Sequence, residues 1–192
     1  MFSGRNLVIA LVFLLLLGIV AGCGSSAGDG SHPDYKRALA GAPAPLAALY
    51  EQGNQVLPGG IDAYEARIAE LKGYPVVANA WASWCGPCRF EFPSLQKLSA
   101  RYGKRVAFLG INSEDSDKEA ERFLAEDPVP YPSYSDGNKD IFDSVGAIGL
   151  PDTVFYDSSG ELCGRKIGAY ADEEAMEADI KRFALQEDCE SG

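Results

Sequence analysis

The chain has a single histidine, His32, in 192 residues, and that scarcity closes several lines of chemistry. A zinc site needs four ligands, usually a second CxxC or a pair of closely spaced histidines. Here Cys85 and Cys88 form the one CxxC, Cys163 and Cys189 stand far apart, and His32 sits in a Gly/Ser-rich stretch, so no metal is expected. A cysteine protease or transamidase fails on the same ground, because its nucleophile needs an imidazole partner. Basic charge is short as well: 17 Lys and Arg face 28 Asp and Glu, a net charge of −11. Such a surface repels nucleic acid and anionic lipid headgroups. There is no internal repeat, and the apolar run Leu7–Val20 falls short of the roughly 20 residues a membrane-spanning helix needs.

What is present begins with that run. It follows the lone base Arg5 and ends in VAGC, Val20–Cys23, so residues 1–22 read as a secretory signal that is removed. VAGC resembles the bacterial lipobox, which implies a diacylglyceryl group on Cys23 and a membrane anchor; two acyl chains suffice for stable anchoring. An ordinary signal peptide or an uncleaved anchor, with Cys23 incidental, are the alternatives. Each version places the domain outside the cytoplasm, where disulfides persist. Residues 24–34, GSSAGDGSHPD, are too small and polar to order themselves, so 23–42 is expected to be a lipidated N-terminus and flexible tether. With 46% hydrophobic and 10% aromatic residues, the remainder, 43–192, can bury one full core.

Along that remainder, Leu46, Leu49 and Tyr50 mark a short helix stopped at Gly53, and Ile61, Tyr64, Ile68 and Leu71 mark a second ending before Gly73. YPVVANAWAS and RVAFLGIN read as strands covered on both faces, separated by a helix from Pro87 to about Tyr102. Helices follow at Asp117–Glu126 and near Ile141–Val145, on either side of the proline-broken DPVPYPSY. The chain then gives DTVFYD, the turn SSG, ELCGRKIG and a final helix over about 172–185. This order predicts an α/β fold with a central mixed sheet flanked by helices.

The cysteine pair lies in NAWASWCGPCRFEFP, where an apolar strand turns into a helix. As a staple it would be poor, since so small a loop constrains the unfolded chain little. As a redox couple it is well placed. Cys85 falls at the helix N-terminus, where free N–H groups and the dipole favour a thiolate. Pro87 suits the first turn, and Cys88, one turn deeper, would be shielded. An exposed attacker beside a buried resolver is what thiol-disulfide exchange needs. Trp84 is expected on the apolar rim beside Cys85, and Trp81 in the packing beneath.

WASWCGPC followed by RFEFP, together with GLPDTVFYDSSGEL, resembles the thioredoxin superfamily over residues 55–187, and within it the exported, membrane-tethered branch related to ResA and TlpA. The resemblance implies a thioredoxin-like fold in which 112–147 carries the branch's extra strand and helix. It implies that Cys85 is the nucleophile, Cys88 the resolving thiol, and Pro151 a cis proline facing them; a plain trans turn is the alternative. Leu150 would offer its backbone to an extended substrate, beside Trp84, Gly86 and Pro87. Pro93 matches the proline that kinks the family's helix. Asn79 occupies the position of thioredoxin's buried aspartate and cannot take a proton. Glu91 matches a glutamate of the ResA-like branch, and i to i+3 spacing carries it over the Cys88 turn as a proton acceptor. The competing reading makes Glu91 an exposed acid that complements the helix dipole.

Cys163 and Cys189 remain. A strand advances about 20 Å from Cys163 to Ala169, and a helix over 172–187 returns a similar length at about 1.5 Å per residue. A structural disulfide is therefore expected, with two unrelated thiols as the alternative. The function expected is a lipid-anchored, extracytoplasmic thiol-disulfide oxidoreductase with no cofactor beyond its own cysteines. By resemblance its clients are exported proteins, apocytochrome c among them, and a membrane thiol-redox donor restores the dithiol. A disulfide-forming oxidase and a non-catalytic binding module are the alternatives; a peroxidase suits closely paired cysteines less well.

Overall fold

The structure, a computed structural model, describes residues 32–189, so the leader, Cys23 and the tether residues 24–31 lie outside the described residues. In chain order the elements are α1 (Tyr35–Ala38), α2 (Ala44–Tyr50), β1 (Val56–Leu57), α3 (Gly60–Glu70), β2 (Val76–Trp81), α4 (Gly86–Tyr102), β3 (Ala107–Ser113), α5 (Asp117–Glu126), β4 (Ser133–Asp136), α6 (Asp140–Ser144), β5 (Asp152–Tyr156), β6 (Leu162–Ile167) and α7 (Glu173–Asp179), which continues as a π-helical turn over Ile180–Leu185. The strands form one sheet in the order β1-β4-β3-β2-β5-β6. β1 to β4 run parallel to one another, while β5 and β6 are antiparallel to their neighbours. This is the α/β thioredoxin-like architecture with a mixed sheet.

β2 and β3 are buried at every position, which is why both read as unbroken apolar runs. Alternation still sorts their side chains. Val77 and Trp81 face a core shared with α4, α5 and α7, whereas Val76, Ala78 and Ala80 face one shared with α2, α3 and α6. On the first face Trp81, Phe92 and Phe123 pack with ring centroids 4.7–5.4 Å apart. Full burial of such side chains contributes roughly 2–3 kcal/mol each. The exposed Lys97–Glu173 and Arg101–Glu173 pairs that tie α4 to α7 contribute at most about 1 kcal/mol each. Apolar packing, not surface charge, therefore holds α4 on the sheet.

Four local features differ from expectation. Residues 35–38, inside the segment expected as tether, make a helical turn capped by Asp34, and the Tyr35 hydroxyl donates to Pro128 O at 2.8 Å. β1 has two residues and no pattern of its own to mark it, whereas β4, paired with β3, lies within the 112–147 span expected to carry the extra strand. Gly53 closes the turn after α2 rather than capping it; a Cβ there would meet Pro130 O at 2.6 Å, so close backbone approach is what requires glycine. The final helix changes to π-helical hydrogen bonding after Asp179.

Cys163 in β6 is bonded to Cys189, closing a loop of sequence separation 26 between the edge strand and the chain's end. Replacing both by serine is expected to lower the unfolding free energy by about 3.5 kcal/mol on chain-entropy grounds. Urea denaturation with and without reductant measures it; an unchanged midpoint in the variant would show that the bond contributes no stability.

Candidate active site

The site is built at the corner where β2 becomes α4. Trp81 ends the strand, Gly86 starts the helix, and the four residues between them are held from the end of β3. The Asp115 carboxylate accepts from Ser83 N at 2.6 Å, Ser83 Oγ at 3.0 Å and Asn112 Nδ2 at 3.1 Å. Cys85 N donates to Ala82 O at 3.1 Å, and the Trp84 indole N–H donates to Glu114 O at 2.9 Å. Trp84 is thereby tied to the end of β3 with 61% of its area exposed, while Trp81 is buried and donates to Ser133 Oγ.

Cys85 is the N-cap residue of α4, and its Sγ accepts from Cys88 N at 3.2 Å. One free N–H of the first turn thus points at the Cys85 sulfur, and with the helix dipole it would favour a thiolate there. Pro87 stands in that first turn and gives up an N–H that has no helical partner. At Gly86 an added Cβ would meet nothing within 4 Å, so this side of the site opens to solvent. Cys85 and Cys88 are joined as a disulfide. Cys85 is 4% exposed and Cys88 1%, so Cys85 offers a sliver of surface rather than the open face expected of it. Pro93 lies inside α4.

The Leu150–Pro151 peptide is cis. Leu150 is half-buried and packs against the cluster that holds Cys85 and Cys88. Pro151 O accepts from Gly168 N at 2.9 Å, which ties this loop to the end of β6. Ile148, two residues before Leu150, is exposed, and its N–H donates to the buried Asp152 carboxylate.

Glu91 is 2% exposed, which removes the reading of it as a surface acid complementing the dipole. Asn79 Nδ2 donates to Glu91 Oε1 at 2.8 Å and to Thr153 Oγ1 at 3.0 Å, and Tyr170 N donates to Glu91 Oε2 at 3.1 Å. Burial pushes the Glu91 carboxyl up to about 7; the Tyr170 and Asn79 donors and the Lys166 charge oppose it without cancelling it. A carboxyl that titrates near neutrality, three residues beyond Cys88, can exchange a proton at working pH.

Asp115, Thr153 and Tyr170 went unmarked at the sequence level. Asn79 was noted for what it cannot do, not for what it donates. Its signal was visible, a polar residue inside an apolar strand. Tyr170 acts through its backbone N–H and leaves no trace in side-chain identity.

For Glu91 the sign of the pH effect follows directly. Its folded-state value lies above its ordinary value of 4.5, so its protonated form favours the fold and that contribution is lost as pH rises from about 4.5 to about 7. Glu91→Gln is expected to abolish this part of the decline. Urea unfolding of wild type and variant at pH 4.5, 6 and 8 checks it; parallel profiles would contradict the assignment.

Comparison with known proteins accords with this geometry. Residues 40–181 match the family model described as Redoxin. The thiol:disulfide interchange protein HelX of Rhodobacter capsulatus is 33% identical over 161 residues, covering 82% of this chain and 85% of that protein. The thiol:disulfide interchange protein DsbE of Pseudomonas fluorescens biotype C is 38% identical over 103 residues, which is 52% of this chain and 55% of that one, so this match spans about half the relative's length. Among solved structures, one from Chlorobium tepidum assigned as a thiol:disulfide interchange protein DsbE superposes with a TM-score of 0.55 at 30% identity, covering 59% of this chain and 82% of its own. Given the Redoxin match over most of its length and a relative at 33% identity that covers 82% of it, the chain belongs to the Redoxin family, as a thioredoxin-fold thiol-disulfide oxidoreductase whose CxxC pair is Cys85 and Cys88.

Proposed function

We propose that this oxidoreductase works outside the cytoplasm, held to the membrane by a lipid on Cys23, and reduces disulfides in exported proteins. The observation that carries the chemistry is a cysteine at the N-cap of α4 bonded to a second one turn deeper, with a near-neutral carboxyl buried behind them. In the dithiol form the Cys85 thiolate attacks one sulfur of a client disulfide. A Cys85–client bond forms, the client S–S bond breaks, and the other client sulfur leaves as a thiolate. Cys88 then passes its proton to the Glu91 carboxylate and attacks Cys85 Sγ, releasing the second client thiol and closing the Cys85–Cys88 disulfide. Two electrons have moved to the client, and a membrane thiol-redox donor must return two.

The half-buried Leu150, with Trp84, Gly86 and Pro87 on the other side, supports docking of an extended client segment, for which Pro151 contributes no N–H to obstruct approach. The client class favoured by the family resemblance is apocytochrome c, whose CxxCH thiols must be free before haem attachment. The HelX and DsbE relatives, thiol:disulfide interchange proteins by name, support the exchange reaction. The direction is supported by the Gly86-Pro87 pair, shared with thioredoxin at about −270 mV, against about −120 mV for a strong oxidant. In this reading residues 1–22 are removed, and Cys23 and the residues after it tether the domain.

Equilibration of Cys85/Cys88 in glutathione buffers is expected to give a potential well below the compartment's poise; a value above it would make the protein an oxidase. Insulin reduction is expected to vanish in Cys85→Ser, and turnover that survives would sink the nucleophile assignment. Cys23→Ala is expected to release the protein from the membrane fraction, and retention there would remove the lipid anchor.

A further inference from the structure

Asn79, Thr153 and Lys166 are cross-strand neighbours in a row over β2, β5 and β6. Glu91 hangs from α4 above this row, and the charged and titratable groups that face it come from several elements. Cys88 precedes it on α4, Lys166 approaches from β6, Tyr170 from the loop after β6, and Tyr131 from the segment before β4. The Tyr170 hydroxyl is itself engaged, donating to Asp179 at 2.9 Å, and Lys166 donates to Ile167 O and Gly168 O.

Within this group Asn79 is 2% exposed and spends both N–H bonds on the network, one on Glu91 and one on Thr153. Its Oδ1, also buried, has no hydrogen-bond partner among the described residues. A buried acceptor left unpaired carries an unrecovered desolvation cost. Rotating the amide would not relieve it, because Oδ1 would then face the Glu91 carboxylate. The amide is thus oriented for the benefit of the acid and not for its own satisfaction. With Tyr170 N on Oε2 and Asn79 Nδ2 on Oε1, each carboxylate oxygen accepts a hydrogen bond, an arrangement that favours the anion against burial.

We infer that Asn79 is a positioning residue: with its amide fixed by Thr153, it holds the Glu91 carboxylate ready to take the proton that Cys88 releases. The inference rests on Glu91 being that acceptor. Asn79 touches neither the reacting sulfurs nor the client; its effect is to set the pH at which Glu91 accepts.

The test follows Glu91 itself by carbon-13 NMR of labelled glutamate carboxyls in the reduced full-length protein, with the resonance assigned by its loss in Glu91→Gln. In parallel, the pH profile of cysteine alkylation is recorded. Asn79→Leu, similar in size but without a donor, is expected to raise the Glu91 midpoint by about one pH unit or more, the worth of a hydrogen bond to a charged group. Because Glu91 must be ionised to take the Cys88 proton, alkylation of Cys88 at pH 7 should slow about fivefold, as the ionised fraction of the acid falls from about one half to about one tenth. Thr153→Val, which keeps the amide and removes what orients it, is expected to give a smaller shift of the same sign, and serves if Asn79→Leu does not fold. A lower denaturation midpoint with an unmoved Glu91 titration in both variants is the signature of a merely structural amide and overturns the inference. A Glu91 midpoint that moves while alkylation does not supports Asn79's hold on the acid and overturns instead the reading of Glu91 as the acceptor of the Cys88 proton.

Discussion

The turn between Trp81 and Gly86 converts the central strand of the sheet into the helix that carries both cysteines, and Asp115 holds that turn with hydrogen bonds to Ser83 N and Ser83 Oγ. Everything the site does depends on this corner. It places Cys85 at the N-cap of α4, where its sulfur accepts from Cys88 N, and it sets Cys88 one turn inside, against the core. Because β2 is buried on both faces and paired on both edges, its end has little freedom to move. Asp115 comes from just beyond β3, a parallel neighbour, so the site forms where adjacent strands finish. This is where α/β sheets generally expose ordered backbone and helix N-termini to ligands.

Behind the corner the fold retains a carboxylate that packing alone would reject. Burial of Glu91 opposes its ionisation, while two N–H donors and the nearby Lys166 favour it. Neither side wins outright, and the group stays poised near neutrality. A leucine there would be more comfortable for the core but would leave Cys88 without a proton acceptor in the reading above. The arrangement is a local departure from best packing, and the Oδ1 of Asn79, unpaired among the described residues, is part of the same departure.

The two disulfides show how loop length and location separate roles. Cys163 and Cys189 close a separation of 26, large enough for the bond to restrict the unfolded chain substantially, and they join an edge strand to the chain's end. Cys85 and Cys88 close a separation of 3, which restricts it little, so that opening the bond sacrifices little stability. A bond that contributes little to the fold and sits at a helix N-terminus can be broken and remade in each turnover.

Much of this was legible from residue order, because the signals were local. Buried strands announce themselves as apolar runs, the i, i+3, i+4 spacing of Leu46, Leu49 and Tyr50 marks a helix, and WCGPC at a strand-to-helix junction specifies a redox pair. β1 was not legible, since a two-residue strand depends on its neighbours for pairing and has no pattern of its own, and β4 was legible only through the family resemblance. The sequence by itself determined the chemistry, through the CxxC spacing and the near absence of histidine. Only the tertiary structure decided the environment: that Glu91 is buried and not on the surface, that Asn79 and Tyr170 are its donors, and that Asp115 holds the corner. The physical reason is distance along the chain. Tyr170 lies 79 residues from Glu91 and Asp115 lies 32 from Ser83, and no local periodicity carries information about which distant donor a buried carboxylate will meet.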